Sequence, residues 1–331
     1  MTKAAVIGVG AIGRNHARVY NELSDVELVA VCDTSEETAA NVGQWLNIPH
    51  ETNYLHMLDT YKPDLVSISV PTMYHFEVAA AVIERGVHVL VEKPITATEE
   101  EGRKLIQLAA DAGVKLTVGH IERFNPAVIE LKKRIDAGDI GDVFRVQSRR
   151  MGPFPARIRD VGVTIDLASH DLDIVRYIMD TDITRVYAET AQNIATDRED
   201  TMDCVLRCTN GVVGTLNINW VTPTKIRELA VTGTKGMFVV NYLTQELFFY
   251  ENAVASSNWQ QLSVLSGVSE GTVTKPVISR HEPLKAELDY FAGAVRDNTA
   301  PLISGEDGLK ALIAAQALVK SGQTQQVIKL T

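Results

Sequence analysis

Cysteine is scarce in this chain of 331 residues, and the three present, Cys32, Cys204 and Cys208, are odd in number and lack metal-ligand spacing. That argues against a disulfide framework or a thiolate metal site, and predicts reduced thiols in a reducing compartment. Cys204 and Cys208 fall on one face of a predicted strand, where they act as small hydrophobes. Basic residues are also in deficit, 32 against 42 acidic ones for a formal net charge of -10, which speaks against a nucleic-acid binder or an anionic membrane surface and leaves room for a local basic pocket. No apolar run reaches the ~18 residues of a membrane span. Residues 1–11 are apolar but contain Gly8 and Gly10, without a basic region or cleavage pattern, so no secretory signal is expected and the expected location is the cytoplasm. What remains is ordinary globular composition, 45% hydrophobic and 22% charged, in a chain long enough for two domains.

The apolar run Ala4-Ala5-Val6-Ile7 breaks at Gly8-Val9-Gly10-Ala11-Ile12-Gly13 and resumes with helical spacing through Val19, Tyr20 and Leu23. Strand, glycine turn and helix are the context of a dinucleotide fingerprint: Gly8 for the tight turn, Gly10 for close approach of a pyrophosphate, Gly13 for helix-strand packing. The helix N-terminus, at Ala11, Ile12 and Gly13, offers unpaired N–H groups to phosphates. A second strand over 26–31 ends at Cys32-Asp33, about 20 to 25 residues past the glycines, where a ribose-binding acid belongs. Asp33 repels a 2′-phosphate, which favours NAD over NADP.

Alternation continues with a helix over 36–46, strands over 65–70, 89–91 and 115–118, and helices over 75–84 and 99–112, the pattern of a doubly wound parallel sheet. From 65–70 onward these strands end in polar residues: Pro71-Thr72 with His75, Glu92-Lys93-Pro94, and Gly119-His120 with Glu122, Arg123 and Asn125. The carboxyl ends of parallel strands are where such sheets bind ligands, so these tips predict a crevice. Pro94 pushes Lys93 out of the helical region. His75 reads equally as a helix N-terminal residue, and His120 as a core histidine.

After a helix over 126–137, strand-like segments at 143–151, 185–192, 203–209, 212–220, 227–232, 237–242 and 247–251 are separated by turns such as Asn210-Gly211. They predict an α+β domain with a large, mostly antiparallel sheet, and a boundary at 122/123. One sheet face is left over, so a homodimer or homotetramer through it is expected. A helix over 166–179 interrupts the strands; at a ~3.6-residue period Asp166, His170, Asp173 and Tyr177 share a narrow arc opposite Leu167, Ile174, Val175 and Ile178. Asp171 falls inside the apolar arc without an evident partner. Arg145, Arg149, Arg150, Arg157 and Arg159 cluster before this helix, suited either to phosphate or carboxylate recognition or to ion pairs with the abundant acids. Past a polar, turn-rich stretch at 256–275, helices are expected over 283–296, with Leu284, Leu288, Phe291 and Val295 on its core side, and over 308–320, a closing helix compatible with packing back on the first domain.

With Gly8, Gly10, Gly13 and Asp33, then Glu92-Lys93-Pro94, then Asp166-Leu167-Ala168-Ser169-His170-Asp171-Leu172-Asp173, Glu282-Pro283-Leu284 and Ser304-Gly305-Glu306-Asp307-Gly308, the chain resembles the Gfo/Idh/MocA family of NAD(P)-dependent oxidoreductases over essentially its whole length. Members often place several glycines before the Asp of the second motif; here only Gly162 precedes Asp166, which implies a different pocket shape. Within the family, the segments Gly119 to Pro126 and Gly152 to Asp160 look most like the UDP-N-acetylglucosamine 3-dehydrogenase branch. The resemblance implies oxidation of a sugar ring hydroxyl, with Lys93 and His170 acting on the hydroxyl and Asp166 orienting the sugar or His170. It leaves the division of labour between Lys93 and His170 open. Gly8, Gly10, Ala11, Ile12, Gly13, Asp33, Pro71, Thr72, His75, Glu92 and Lys93 are the expected cofactor contacts. His120, Arg123, Asn125, Arg157, Arg159 and Asp166 are the expected substrate contacts, the arginines for a diphosphate. No metal is expected. The rivals are a dehydrogenase or reductase of another sugar or polyol such as inositol, and a non-catalytic NAD-sensing regulator on the same fold.

Overall fold

The computed structural model describes residues 1–154, 161–194, 198–254 and 268–330. The chain divides into two compact units, Met1–Ile121 with Glu282–Ile313, and Glu122–His281 with Ala314–Thr331.

In the first unit β1 (Thr2–Ile7), β2 (Val26–Cys32), β3 (His50–Glu51), β4 (Leu65–Ile68), β5 (His88–Glu92) and β6 (Leu116–Gly119) form a parallel sheet in the order β3-β2-β1-β4-β5-β6. Every residue of β4 and β6 is buried, as expected of strands covered on both faces. The intervening helices are α1 (Gly13–Glu22), α2 (Glu36–Leu46), α3 (Tyr54–Tyr61), α4 (His75–Ile83) and α5 (Glu99–Ala112). α5 starts at a capping box of Thr98 with Glu101 and stops at Gly113, in the left-handed region. β3 and α3 are absent from the sequence-based expectation because two strand residues and a short helix carry too few turns of pattern.

The second unit holds α6 (Pro126–Asp136), β7 (Val143–Pro153), α7 (Ser169–Met179), β8 (Ile183–Ala191), β9 (Thr201–Cys208), β10 (Val213–Asn219), β11 (Val221–Gly233), β12 (Gly236–Asn241), β13 (Glu246–Val254) and β14 (Val268–Thr274). Together with β15 (Ile328–Lys329) these strands order as β14-β13-β12-β11-β7-β10-β9-β8-β15, antiparallel throughout except between β7 and β10. β9 shows why the sheet has two different faces: Met202, Cys204, Leu206 and Cys208 are buried, while Asp203, Val205 and Arg207 point to solvent. The buried face packs under α6 and α7, through Ala127, Leu131, Leu172, Val175 and Ile178 against Val146, Leu216 and Val231. β14 lies inside the stretch that sequence alone marks as turn-rich, since its polar residues supply no alternation.

Residues 282–313 fall in the first unit; sequence alone groups the helix over 283–296 with the second domain and reads the closing helix over 308–320 as compatible with packing back on the first. α8 (Pro283–Arg296) buries Leu288, Phe291 and Ala292 against Ala4, Val6, Tyr20 and Leu28. An apolar stripe announces that a helix has a face to bury, but not which sheet receives it. α9 (Gly305–Thr324) begins against β6: Cβ atoms at Gly305 and Gly308 would crowd Leu116 and Val118. Beyond Ile313 its Ala314, Ala315 and Leu318 join the core of the second unit.

Candidate active site

The strand order reverses between β1 and β4, and the glycine loop sits at that switch point. Gly8 has φ +82°, and a Cβ there would stand 2.8 Å from the backbone of Ser69 and Val70. A Cβ on Gly13 would drive into the Gly8 carbonyl oxygen. Gly10 is different, with nothing within 4 Å of the Cβ position, so that position is open for a ligand to approach the backbone. Ala11 and Ile12 are exposed, and α1 starts with no side-chain cap and no acid in its first turn, leaving its positive dipole end for an anion. Asp33 closes the cradle: Oδ2 accepts from Val9 N and Oδ1 from Ser35 N, each at 3.0 Å. Each oxygen keeps a second lone pair, suited to a ribose hydroxyl. These residues fit a dinucleotide.

The tips of β4, β5 and β6 lie side by side, with Glu92 in register with Gly119. Pro71 is exposed and Thr72 half-buried, in a short turn over Thr72–Tyr74. His75, an expected cofactor contact that sequence reads equally as a helix N-terminal residue, is the first residue of α4. It is buried, with Nδ1 2.8 Å from Pro94 O and Nε2 2.9 Å from Val70 O, so its ring ties two tips together. Glu92 is held from three sides: Oε1 lies 3.0 Å from Nε2 of the buried His16, Oε2 accepts from Lys93 N at 3.1 Å, and the carboxylate occupies the space a Gly119 side chain would need. Burial works against the Glu92 carboxylate, but the hydrogen bond and charge of His16, then Lys93, hold its pKa below the usual value. Lys93 follows, half-buried, joined to Pro94 by a cis peptide bond. His120 is buried, its N–H donating to Val118 O. Sequence alone gives His16 no distinction, because a lone histidine in an amphipathic helix carries no signal until its strand partner is known.

In the second unit Asp166 sits in a π-helical turn, Thr164–Ala168, that runs into α7. Such turns are rare and concentrate at functional sites. The wider turn also breaks the regular ~3.6-residue arc assumed from sequence. Asp166 is buried and His170 half-buried, but Asp173 does not share an accessible stripe with them. Its carboxylate is buried and receives Arg123 Nε at 2.9 Å and Nη2 at 2.6 Å, with the guanidinium 4.9 Å from the Tyr177 ring centre. Asp171 now has its account: Oδ1 accepts from Ser148 Oγ and Oδ2 from Arg150 Nε, both at 2.8 Å, while Arg150 also donates to Glu122 at 2.9 Å. Burial alone would lower the Arg150 pKa, but Asp171 and Glu122 more than offset it.

Two expected substrate contacts have protein partners in the second unit. Arg123 is committed to Asp173. Asn125 caps α6, its Oδ1 accepting from Ala127 N at 3.1 Å and its Nδ2 donating to Tyr242 O at 3.1 Å. Arg149 pairs with Glu228 at 3.1 Å on the exposed face. Arg157 and Arg159 lie outside the described residues.

Residues 2–120 match the oxidoreductase family NAD-binding Rossmann fold of Gfo/Idh/MocA, and residues 128–239 match the Gfo/Idh/MocA C-terminal domain. The chain is 30% identical over 313 residues to UDP-N-acetylglucosamine 3-dehydrogenase of Acidithiobacillus ferrooxidans, covering 95% of each. It is 28% identical over 348 residues to scyllo-inositol 2-dehydrogenase (NAD(+)) of Bacillus subtilis, covering 98% of this chain and 96% of that protein. A solved structure of the Acidithiobacillus enzyme superposes with a TM-score of 0.86 at 28% identity, covering 97% of both chains. The chain therefore belongs to the Gfo/Idh/MocA family of oxidoreductases and carries that family's NAD-binding Rossmann domain.

Proposed function

We propose that this enzyme oxidises a sugar ring hydroxyl to a ketone with NAD as acceptor, and that its substrate is UDP-N-acetylglucosamine, oxidised at C3. The observation that carries the sugar assignment is the near full-length likeness to a UDP-N-acetylglucosamine 3-dehydrogenase. The choice of NAD rests on Asp33, whose carboxylate at the end of β2 suits ribose hydroxyls and repels a 2′-phosphate.

The bound nicotinamide supplies the hydride acceptor. The chain supplies proton transfer and orientation. Lys93 donates a hydrogen bond to the reacting oxygen and stabilises the negative charge that grows as the proton leaves. His170 takes that proton, a task for which an imidazole is suited near neutral pH. Asp166 orients the sugar or the imidazole. Glu92, fixed by His16 and Gly119, holds the backbone from which Lys93 projects. For every turnover a carbinol C–H leaves as hydride, the O–H proton passes to the protein, and a C=O bond forms. Assembly through the open face of the nine-stranded sheet, as a homodimer or homotetramer, belongs to the same reading.

Lys93→Ala and His170→Ala should each lower turnover by ~100-fold or more while NAD still binds. Near-normal rates in both variants would sink the residue assignment. Steady-state rates with UDP-N-acetylglucosamine, free N-acetylglucosamine and inositols settle the substrate, with preference for an inositol favouring the polyol reading. No NADH production with any of them would favour a sensor.

A further inference from the structure

β7 and β11 pair across an unusual junction. Val221 is in register with Pro153 and Ile226 with Met151, so Thr222, Pro223, Thr224 and Lys225 bulge out opposite the single residue Gly152. Bulges of this kind re-aim side chains and recur beside active sites. Just past the bulge, Arg227 stands directly opposite Arg150 in the ladder. Like charges in that relation repel. Arg150 is neutralised by Asp171 and Glu122, but Arg227 has no carboxylate within ion-pair distance among the described residues. Among the described residues its Nη1 donates to the carbonyl oxygens of Met151 and Ile226. Burial first, and then Arg150, push the Arg227 guanidinium down to about 10, with Asp171, Glu122 and Asp166 close enough to oppose that shift.

The terminal nitrogens of Arg227 lie 3.9 Å from the place where a Gly152 Cβ would stand, and Lys225 Cγ lies 3.8 Å from it. Two cationic side chains thus flank a backbone stretch that lacks a side chain of its own. A guanidinium left in that position costs folding stability and gains when an anion arrives, because a planar fork binds phosphate oxygens in pairs. We propose that Arg227, with Lys225 beside it, is an anion site of this enzyme that holds the diphosphate of its substrate. This rests on the nucleotide-sugar reading above, and it adds a residue to the diphosphate contacts that sequence alone expects at Arg123, Arg157 and Arg159.

Calorimetric titration of the full-length protein with UDP and with inorganic pyrophosphate tests it, in wild type, Arg227→Gln and Arg227→Lys. Expected is a loss of about 10-fold or more in UDP and pyrophosphate affinity in Arg227→Gln, with partial retention in Arg227→Lys. In the ligand-free state Arg227→Gln should melt at or above the wild-type temperature, since a half-buried charge beside Arg150 without a carboxylate partner is removed, and NAD should bind it as it binds wild type. With UDP-N-acetylglucosamine the KM should rise more than kcat falls. Unchanged UDP affinity in Arg227→Gln, a wild type that binds neither anion, or a lowered melting temperature with NAD and UDP weakened alike would each overturn the site. Wild type that oxidises UDP-N-acetylglucosamine with the same KM as Arg227→Gln overturns the site and leaves the function standing. Arg227-dependent UDP binding without turnover of that sugar does the reverse.

Discussion

Single residues carry the cofactor cradle, and their constraints are steric and electrostatic. Gly8 combines a left-handed backbone with contact against Ser69 and Val70, so Gly8→Ala adds strain of ~1–3 kcal/mol on top of a backbone clash. The expected outcome is a lower melting temperature and a raised KM for NAD. Glu92 gives a pH signature. Its pKa is depressed in the folded chain, so its stabilisation is fully present above the ordinary carboxylate pKa of ~4.3 and is lost as pH falls through the folded value. Melting temperatures followed from pH 6 to pH 3 should therefore fall less steeply in Glu92→Gln than in wild type. A parallel descent would show that Glu92 gains nothing from His16. Burial raises the thiols by contrast, Cys32 and Cys204 to about 12 and Cys208 to about 11, which disfavours the thiolate.

At the level of elements, α7 does two things. Its inward carboxylates anchor arginines from neighbouring segments, Asp173 to Arg123 and Asp171 to Arg150, while Asp166 and His170 occupy the π-helical turn and the first turn of the helix. Removing one partner of a buried pair leaves an uncompensated charge. Asp173→Ala should therefore cost ~3–5 kcal/mol in chemical denaturation. His170→Ala should instead leave stability close to wild type and remove turnover, and the opposite pattern would exchange their roles. Asn125→Ala, which removes the cap of α6, should cost ~0.5–2 kcal/mol with little change in KM. The Asn125 cap is local, an Asn before a Pro at the helix start, but the arginine partnerships are not legible in sequence. Arg123 and Asp173, or Arg150 and Arg227, are far apart in the chain, and only strand register and helix placement decide which meet.

For the molecule as a whole, the open face of the nine-stranded sheet carries the expectation of assembly. Val205 is 50% exposed there, and Tyr187, Thr215 and Ala230 lie on the same surface. A sheet face of mixed apolar and polar residues suits a two-fold pairing of identical chains. Light scattering on the wild type should give a mass of two or four chains, and Val205→Asp with Ala230→Asp should shift it toward one. A wild-type monomer would remove this reading.

The sequence by itself determined the parallel α/β sheet, the glycine loop with Asp33, the mostly antiparallel second sheet and the family. Those features are written in local patterns: apolar periodicity, turn glycines and short motifs whose chemistry follows from adjacent residues. Tertiary structure decided which unit receives α8, what Asp171 is for, that Arg123 meets Asp173, and that Arg227 stands across from Arg150. Each of these depends on register and packing between distant segments, where a one-residue shift in pairing changes every neighbour and no local pattern records the choice.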